Sequence, residues 1–208
     1  MLRAAGPVLD GAAPGASPVG RLLVAALLAV SLLCAAAPVA ADNSIEVRSA
    51  ELRQVADGDG LALDVTFDFD LPWALEDAVS RGVPLYFVVD FELYRSRWYW
   101  FDERRASASL TYRLSYSPLT RQYRVARGTL ALPFETLGAA LTSLRRISGW
   151  AVAERAALGA GSSHWAQVRM RLDTAQLPRP FQIGAITSRD WTLDSEWRNV
   201  AVRPELLR

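Results

Sequence analysis

Apolar and polar residues alternate along much of this chain. In the stretch 60–71 the odd positions are Leu61, Leu63, Val65, Phe67, Phe69 and Leu71, while Asp64, Thr66, Asp68 and Asp70 lie between them. Side chains leave a strand on alternate sides, so a two-residue period puts every apolar group on one face. The pattern predicts a half-buried strand. Residues 85–94 repeat it, with Phe87, Val89, Phe91 and Leu93 inward and Asp90 and Glu92 outward. Leu110, Tyr112, Leu114 and Tyr116 alternate with Thr111, Arg113 and Ser115. After a turn at Ser117-Pro118-Leu119-Thr120, residues 122–132 continue as a strand. Val168, Met170 and Leu172 alternate with Gln167, Arg169 and Arg171, and weaker alternation marks 45–55 and 150–155.

Two short helices interrupt these strands. Pro72 opens the first over 73–81, with Glu76 and Asp77 early, Arg81 late and Gly82 as the stop, in agreement with helix-end chemistry. Pro133 opens the second, where Phe134, Leu137, Leu141 and Leu144 form a stripe at helical spacing, with Arg145 and Arg146 in the last turn and Gly149 beyond. About seven or eight strands with one apolar face each imply two antiparallel sheets packed face to face, with the helices as crossovers or lids. The expected class is a mainly β, sandwich-like domain.

The amino end has a different pattern. Arg21 precedes the low-charge run 22–41, which ends in Val39-Ala40-Ala41. Charged flank, apolar stretch and small-residue zone are the order of an export signal, with cleavage expected after Ala41. An uncleaved anchor competes, because 20 residues are long enough to span a bilayer. Bulky Leu33 ahead of Cys34 does not suit a lipoprotein site. The expected organisation is therefore a signal or anchor over 1–41 and one β-rich domain over 42–208, exported across a membrane.

Charge narrows the function. All 23 basic residues are arginine. Residues 1–41 hold Arg3, Arg21 and Asp10, so the remainder balances 21 arginines against 21 acids. A nucleic-acid binder would show a basic excess or stripe, so no nucleic-acid partner is expected. Cys34 is the one cysteine and lies in the leader, which leaves the mature domain without a disulfide or a thiolate metal site.

The candidate chemistry is sparse. His164 is the single histidine, with Ser162 and Ser163 beside it. Neighbours in a turn do not supply the converging geometry of a nucleophile triad, and one histidine cannot build a zinc site. Asp57-Gly-Asp-Gly60 has two acids of a calcium loop, but Leu61 stands where a third oxygen ligand belongs, so a hairpin is expected there. Asp64, Asp68, Asp70, Asp90 and Glu92 could serve a glycosidase or a cation site. The arginines Arg113, Arg124, Arg169 and Arg171 on the polar faces of other strands favour cross-strand ion pairs instead. The reading is of a protein that is not an enzyme and carries no cofactor or metal.

The most distinctive segment is Tyr94-Arg-Ser-Arg-Trp98-Tyr-Trp-Phe101-Asp-Glu-Arg-Arg105. Read as a strand, Trp98 and Trp100 share one face, and Tyr99 and Phe101 the other. Aromatics flanked by arginine suit a sugar or peptide platform, a protein hot spot or a membrane-interface belt. The alternative is a sandwich core at a strand corner, with the second face under a helix. Tyr94, Arg97, Trp98 and Trp100 are the candidate interaction residues.

The carboxyl-terminal residues Leu177-Pro-Arg-Pro-Phe-Gln-Ile183 and Ser188-Arg-Asp-Trp-Thr-Leu-Asp-Ser-Glu-Trp197 complete a wider pattern. With Ile45-Glu-Val-Arg, Phe67-Asp-Phe-Asp-Leu-Pro72 and Tyr94-Arg-Ser-Arg-Trp-Tyr-Trp100, the chain resembles domain-of-unknown-function family 4390 over nearly all of 42–208. The resemblance implies an exported proteobacterial protein, hence the periplasm, and brings no activity with it. Genes of that family often neighbour one for a membrane sensor kinase of the nitrogen-regulation type, which suggests an inner-membrane partner. Physically, Pro178 and Pro180 predict an extended stretch, and Trp191 and Trp197 would anchor the tail. The expected function is a non-enzymatic interaction or accessory module of the cell envelope. A small-ligand or glycan binder using residues 98–101 is the alternative, and a hydrolase on the acidic stripe a third.

Overall fold

In the computed structural model, Leu61, Leu63, Val65, Phe67, Phe69 and Leu71 are all buried, and so are Phe87, Val89, Phe91 and Leu93. The chain divides into Met1–Ala41 and Asp42–Arg208. The structure describes residues 44–55, 60–158, 163–182 and 189–207, all in the second unit. Residues 1–41, with Cys34, and the acids Asp57 and Asp59 lie outside the described residues. Among the described residues, no helix is long and apolar enough to cross a membrane.

The domain has two antiparallel sheets. The smaller has the order β1-β2-β7, with β1 at Glu46–Gln54, β2 at Gly60–Asp68 and β7 at Arg146–Glu154. The larger runs β6-β5-β4-β3-β8-β9. Its strands are β3 (Leu85–Arg95), β4 (Glu103–Ser117), β5 (Gln122–Arg127), β6 (Leu130–Phe134), β8 (His164–Leu172) and β9 (Arg198–Val200). The inner faces meet in one core. Phe67 from β2, Phe87 and Phe91 from β3 and Met170 from β8 are among its largest fully buried side chains.

Both helices carry the chain from one sheet to the other. The first, α1 (Trp73–Ser80), joins β2 to β3 and buries Leu75, Ala78 and Val79. Pro72 precedes its first residue and accepts the Leu75 and Glu76 N–H groups at its own carbonyl, with no side-chain cap. Its end is a left-handed glycine stop: Gly82 has φ 88°, its N–H donates to the Val79 carbonyl, and Val83 donates to Ala78. These two bonds satisfy carbonyls that the last turn would otherwise leave unpaired. The second, α2 (Leu137–Arg145), joins β6 to β7 and buries Ala140, Leu141 and Leu144.

Several expectations need correction. The stretch 122–132 is not one strand. Gly128, with φ 56°, turns it into the hairpin of β5 and β6. Pro133 does not open the second helix but lies in β6, an edge strand, where a missing N–H breaks no inner ladder. The helix start belongs to Thr136, whose hydroxyl accepts from the Ala139 N–H at 3.2 Å. Gly149 does not follow the helix; β7 begins at Arg146 and contains it. Leu63 pairs with Trp150 and Val65 with Ile147, so β7 holds one extra residue there. Gly149 takes φ 66° in that bulge and donates its N–H to Asp64 Oδ1 at 2.6 Å. Pro178 and Pro180 do not extend the chain, because residues 179–182 form a helical turn.

The tail docks as expected. Phe181 and Trp191 rings lie 5.5 Å apart, Leu193 is buried, and the Arg169 guanidinium sits 4.4 Å over the Trp197 ring. The Ser195 hydroxyl accepts from the Met170 N–H at 2.9 Å, fixing this segment beside β8.

Candidate interaction site at the tip of the β3–β4 hairpin

Strands β3 and β4 form a long hairpin at the centre of the larger sheet. Their last paired residues are Arg95 and Glu103, and residues 96–102 form the loop between them. The aromatic segment is thus a hairpin tip, not a strand, and it packs neither into the core nor under a helix. Trp98 is 95% exposed, Tyr99 66%, Trp100 69% and Phe101 86%. Fully covering four such side chains would remove roughly 600 Å² from water, at the upper end of what a monomeric surface normally shows as one patch.

The register explains why the loop holds its place. Leu93 pairs with Ala106 but Tyr94 with Arg104, so Arg105 is an extra residue in β4 immediately before the tip. From this bulge Arg105 donates to the Ala157 carbonyl at 3.1 Å and to Glu103 at 3.2 Å. Glu103 also receives Arg95 at 2.6 Å and Arg97. Burial alone would raise the Glu103 carboxyl. Hydrogen bonds from Arg97 and Arg105, with the charge of Arg95, outweigh it and hold this acid below the ordinary carboxylate range.

Strand β8 supplies the other half of the brace. Tyr94 pairs with Trp165 across β3 and β8, and their rings stack at 4.5 Å and 10°. The Trp165 Nε1–H donates to Asp102 Oδ2 at 2.7 Å, while Asp102 Oδ1 accepts from the Arg97 N–H at 3.4 Å. The Ser96 N–H donates to the Ser163 carbonyl at 2.8 Å. Tyr94 OH donates to Glu92 at 2.8 Å, and Gln167 and Arg104 bond the same carboxylate at 2.8 and 3.0 Å. For Glu92 too, burial works upward and these three donors bring the net shift below the usual value.

The four candidate residues therefore divide. Trp98 and Trp100 project into solvent together with Tyr99 and Phe101, whereas Tyr94 and Arg97 hold the loop from below. Sequence reasoning missed Trp165, Asp102 and Glu103 as braces. The available signal was the pair His164-Trp165 opening a strand after the small and polar residues 159–163. Its register against Tyr94 is a non-local fact that no spacing reveals.

The remaining candidates lie elsewhere. His164 is a buried residue at the start of β8, opposite Arg95. Asp64 and Asp68 are on β2 and pair with Arg53 and Arg48 of the neighbouring β1, not with Arg113 or Arg124. Asp90, on β3 of the other sheet, accepts from Arg169, Arg171 and Ser109, each at 3.2 Å. Asp70 pairs with Arg145 at 2.7 Å. The acidic stripe is thus divided between two sheets and engaged by arginine, which is cross-strand pairing in the main. Among the described residues, no three His, Cys, Asp or Glu side chains cluster so as to hold a metal ion. A cleft of about 810 Å³ is lined by Ala106, Ala151, Ala153, Ala156 and Ala157 together with Arg105 and Glu154.

The family model described as "Domain of unknown function (DUF4390)" matches residues 42–201. The chain belongs to that family. No curated protein and no solved structure matches the chain. The family match spans both sheets, the braced hairpin and β9, so tip and brace belong to the family domain itself.

Proposed function

We propose that this family member is an exported, non-enzymatic interaction module of the cell envelope, held in the periplasm, and that the β3–β4 tip is its contact surface. One observation carries the reading. Four consecutive aromatic side chains stand 66–95% exposed at the end of a hairpin that more than half a dozen hydrogen bonds and a ring stack hold in place. Exposed aromatics cost solubility unless something covers them, and a rigid loop loses little entropy when it is covered. The export-type leader supports the envelope setting, and an inner-membrane partner suits a module tethered or released beside that membrane.

Recognition of a sugar in a flat stack is less well supported. Trp98 and Tyr99 meet at 73°, and Trp100 and Phe101 at 82°, so neighbouring rings present no common plane.

The test is photo-crosslinking in intact cells, with a photoreactive residue at Tyr99 and, separately, at Leu119 in the distal turn after β4. Adducts from Tyr99 and none from Leu119 are expected. Equal labelling from both sites, or none from Tyr99, would remove the tip from the account.

A further inference from the structure

We infer that what the tip contacts is the surface of an anionic phospholipid bilayer, into whose interfacial layer residues 98–101 insert. The inference rests on the tip being the contact surface proposed above and names its partner.

Three features of the tip favour a bilayer over a protein. The first is shape. A protein hot spot is a packed centre that fits a pocket on the partner and is ringed by contacts that exclude water. Here the rings are set edge to face on a convex loop and share no plane. A bilayer interface demands no such complementarity; it takes tryptophan and tyrosine at the headgroup level and phenylalanine slightly deeper.

The second feature is charge. Between Tyr94 and Arg105 there are four arginines against two acids, set behind the aromatics. Asp102 is occupied by Trp165 and the Arg97 N–H, and Glu103 by three guanidiniums. Both carboxylates at the base are thus engaged within the protein, and Glu103 alone faces three guanidiniums, which leaves the base with positive charge in excess; Arg104 pairs with Glu92 at 3.0 Å and still keeps an exposed side chain. Basic groups just outside an inserted apolar tip meet lipid phosphates, and each adds attraction to an anionic surface.

The third feature limits depth. Backbone N–H and C=O groups of a loop cannot be left unpaired in the hydrocarbon core, so an irregular tip stays in the hydrated interface. A penetration of about 5–10 Å, as for other interfacial apolar faces, buries the four rings and leaves the Arg–Glu brace in water.

The experiment uses the full chain with vesicles of phosphatidylethanolamine and phosphatidylglycerol, the lipids brominated near the headgroup end of the acyl chain, and reads quenching of indole fluorescence. Residues 1–41 contain no tryptophan, so membrane attachment through the leader leaves no signal of its own. Wild-type protein should be quenched. Trp98→Phe combined with Trp100→Phe should abolish that quenching while keeping the tip apolar. Trp73→Phe should not, because Trp73 opens α1, ahead of the far end of β3. Replacing either tip tryptophan by alanine should weaken binding roughly tenfold or more, and vesicles of phosphatidylcholine alone should bind less. Quenching that persists in the double variant, or none in wild type, overturns the lipid assignment. In the second case Tyr99 adducts in cells that are exclusively protein would leave the tip as a contact surface, whereas absent adducts would remove that surface as well.

Discussion

The ring of Tyr94 lies 4.5 Å from that of Trp165 and within 10° of parallel to it, which makes this cross-strand pair the floor of the aromatic tip. Trp165 also reaches forward to Asp102 in the loop. Trp165→Ala removes the stack and that hydrogen bond together, and should cost about 1–3 kcal/mol in urea unfolding. Amide exchange over residues 96–102 should accelerate by more than exchange in β2. An unchanged loop with the same stability would show that the brace lies elsewhere.

The core is defined by the inward positions of two central strands. Phe67 is 1% and Phe91 0% exposed, so Phe67→Ala or Phe91→Ala should cost about 3–5 kcal/mol. Asp68 points outward to Arg48, and its replacement by alanine should cost little. Urea midpoints for the three variants provide the comparison. Similar small losses for all three would contradict the strand faces described.

Acid should loosen the tip, with a definite sign. Glu92 and Glu103 both have folded values below the ordinary glutamate value of about 4.3. Their contribution to stability is complete above that value and is lost as pH falls through the depressed folded values. Carboxyl chemical-shift titration should therefore give midpoints below that of an unperturbed glutamate for both acids. A midpoint above the ordinary value for either acid would mean that burial, not the arginines, governs it.

Export should leave Asp42 as the first residue. The motive is the apolar run 22–33 followed by Val39-Ala40-Ala41. Intact-mass measurement of protein recovered from its native envelope reads the outcome directly. A species that retains residues 22–33 would establish an anchor in place of a cleaved signal.

What the sequence disclosed was local. Leu61 to Leu71 and Phe87 to Leu93 carried their burial in a two-residue period, which needs no knowledge of partners. The β5–β6 hairpin was legible in principle: apolar parity changes from Tyr123 and Val125 to Leu130 and Leu132 across Gly128. Pro133 misled because proline suits both a helix start and an edge strand, and only pairing with Arg124 decides between them. Residues 98–101 read as a strand because tryptophan, tyrosine and phenylalanine favour strands in general. Their exposure follows from where β3 stops pairing. That depends on the Arg105 bulge and on Trp165, some 60–70 residues away along the chain.

The most direct test of the central claim combines stability and contact in the same two variants. Trp98 and Trp100 are exposed and, among the described residues, make ring contacts only with their tip neighbours, so Trp98→Ala and Trp100→Ala should each change unfolding stability by less than about 0.5 kcal/mol. Each should nevertheless abolish or sharply reduce the adducts formed from Tyr99 in intact cells. Loss of several kcal/mol of stability in both variants, or full retention of those adducts, would contradict the assignment of this tip as the contact surface.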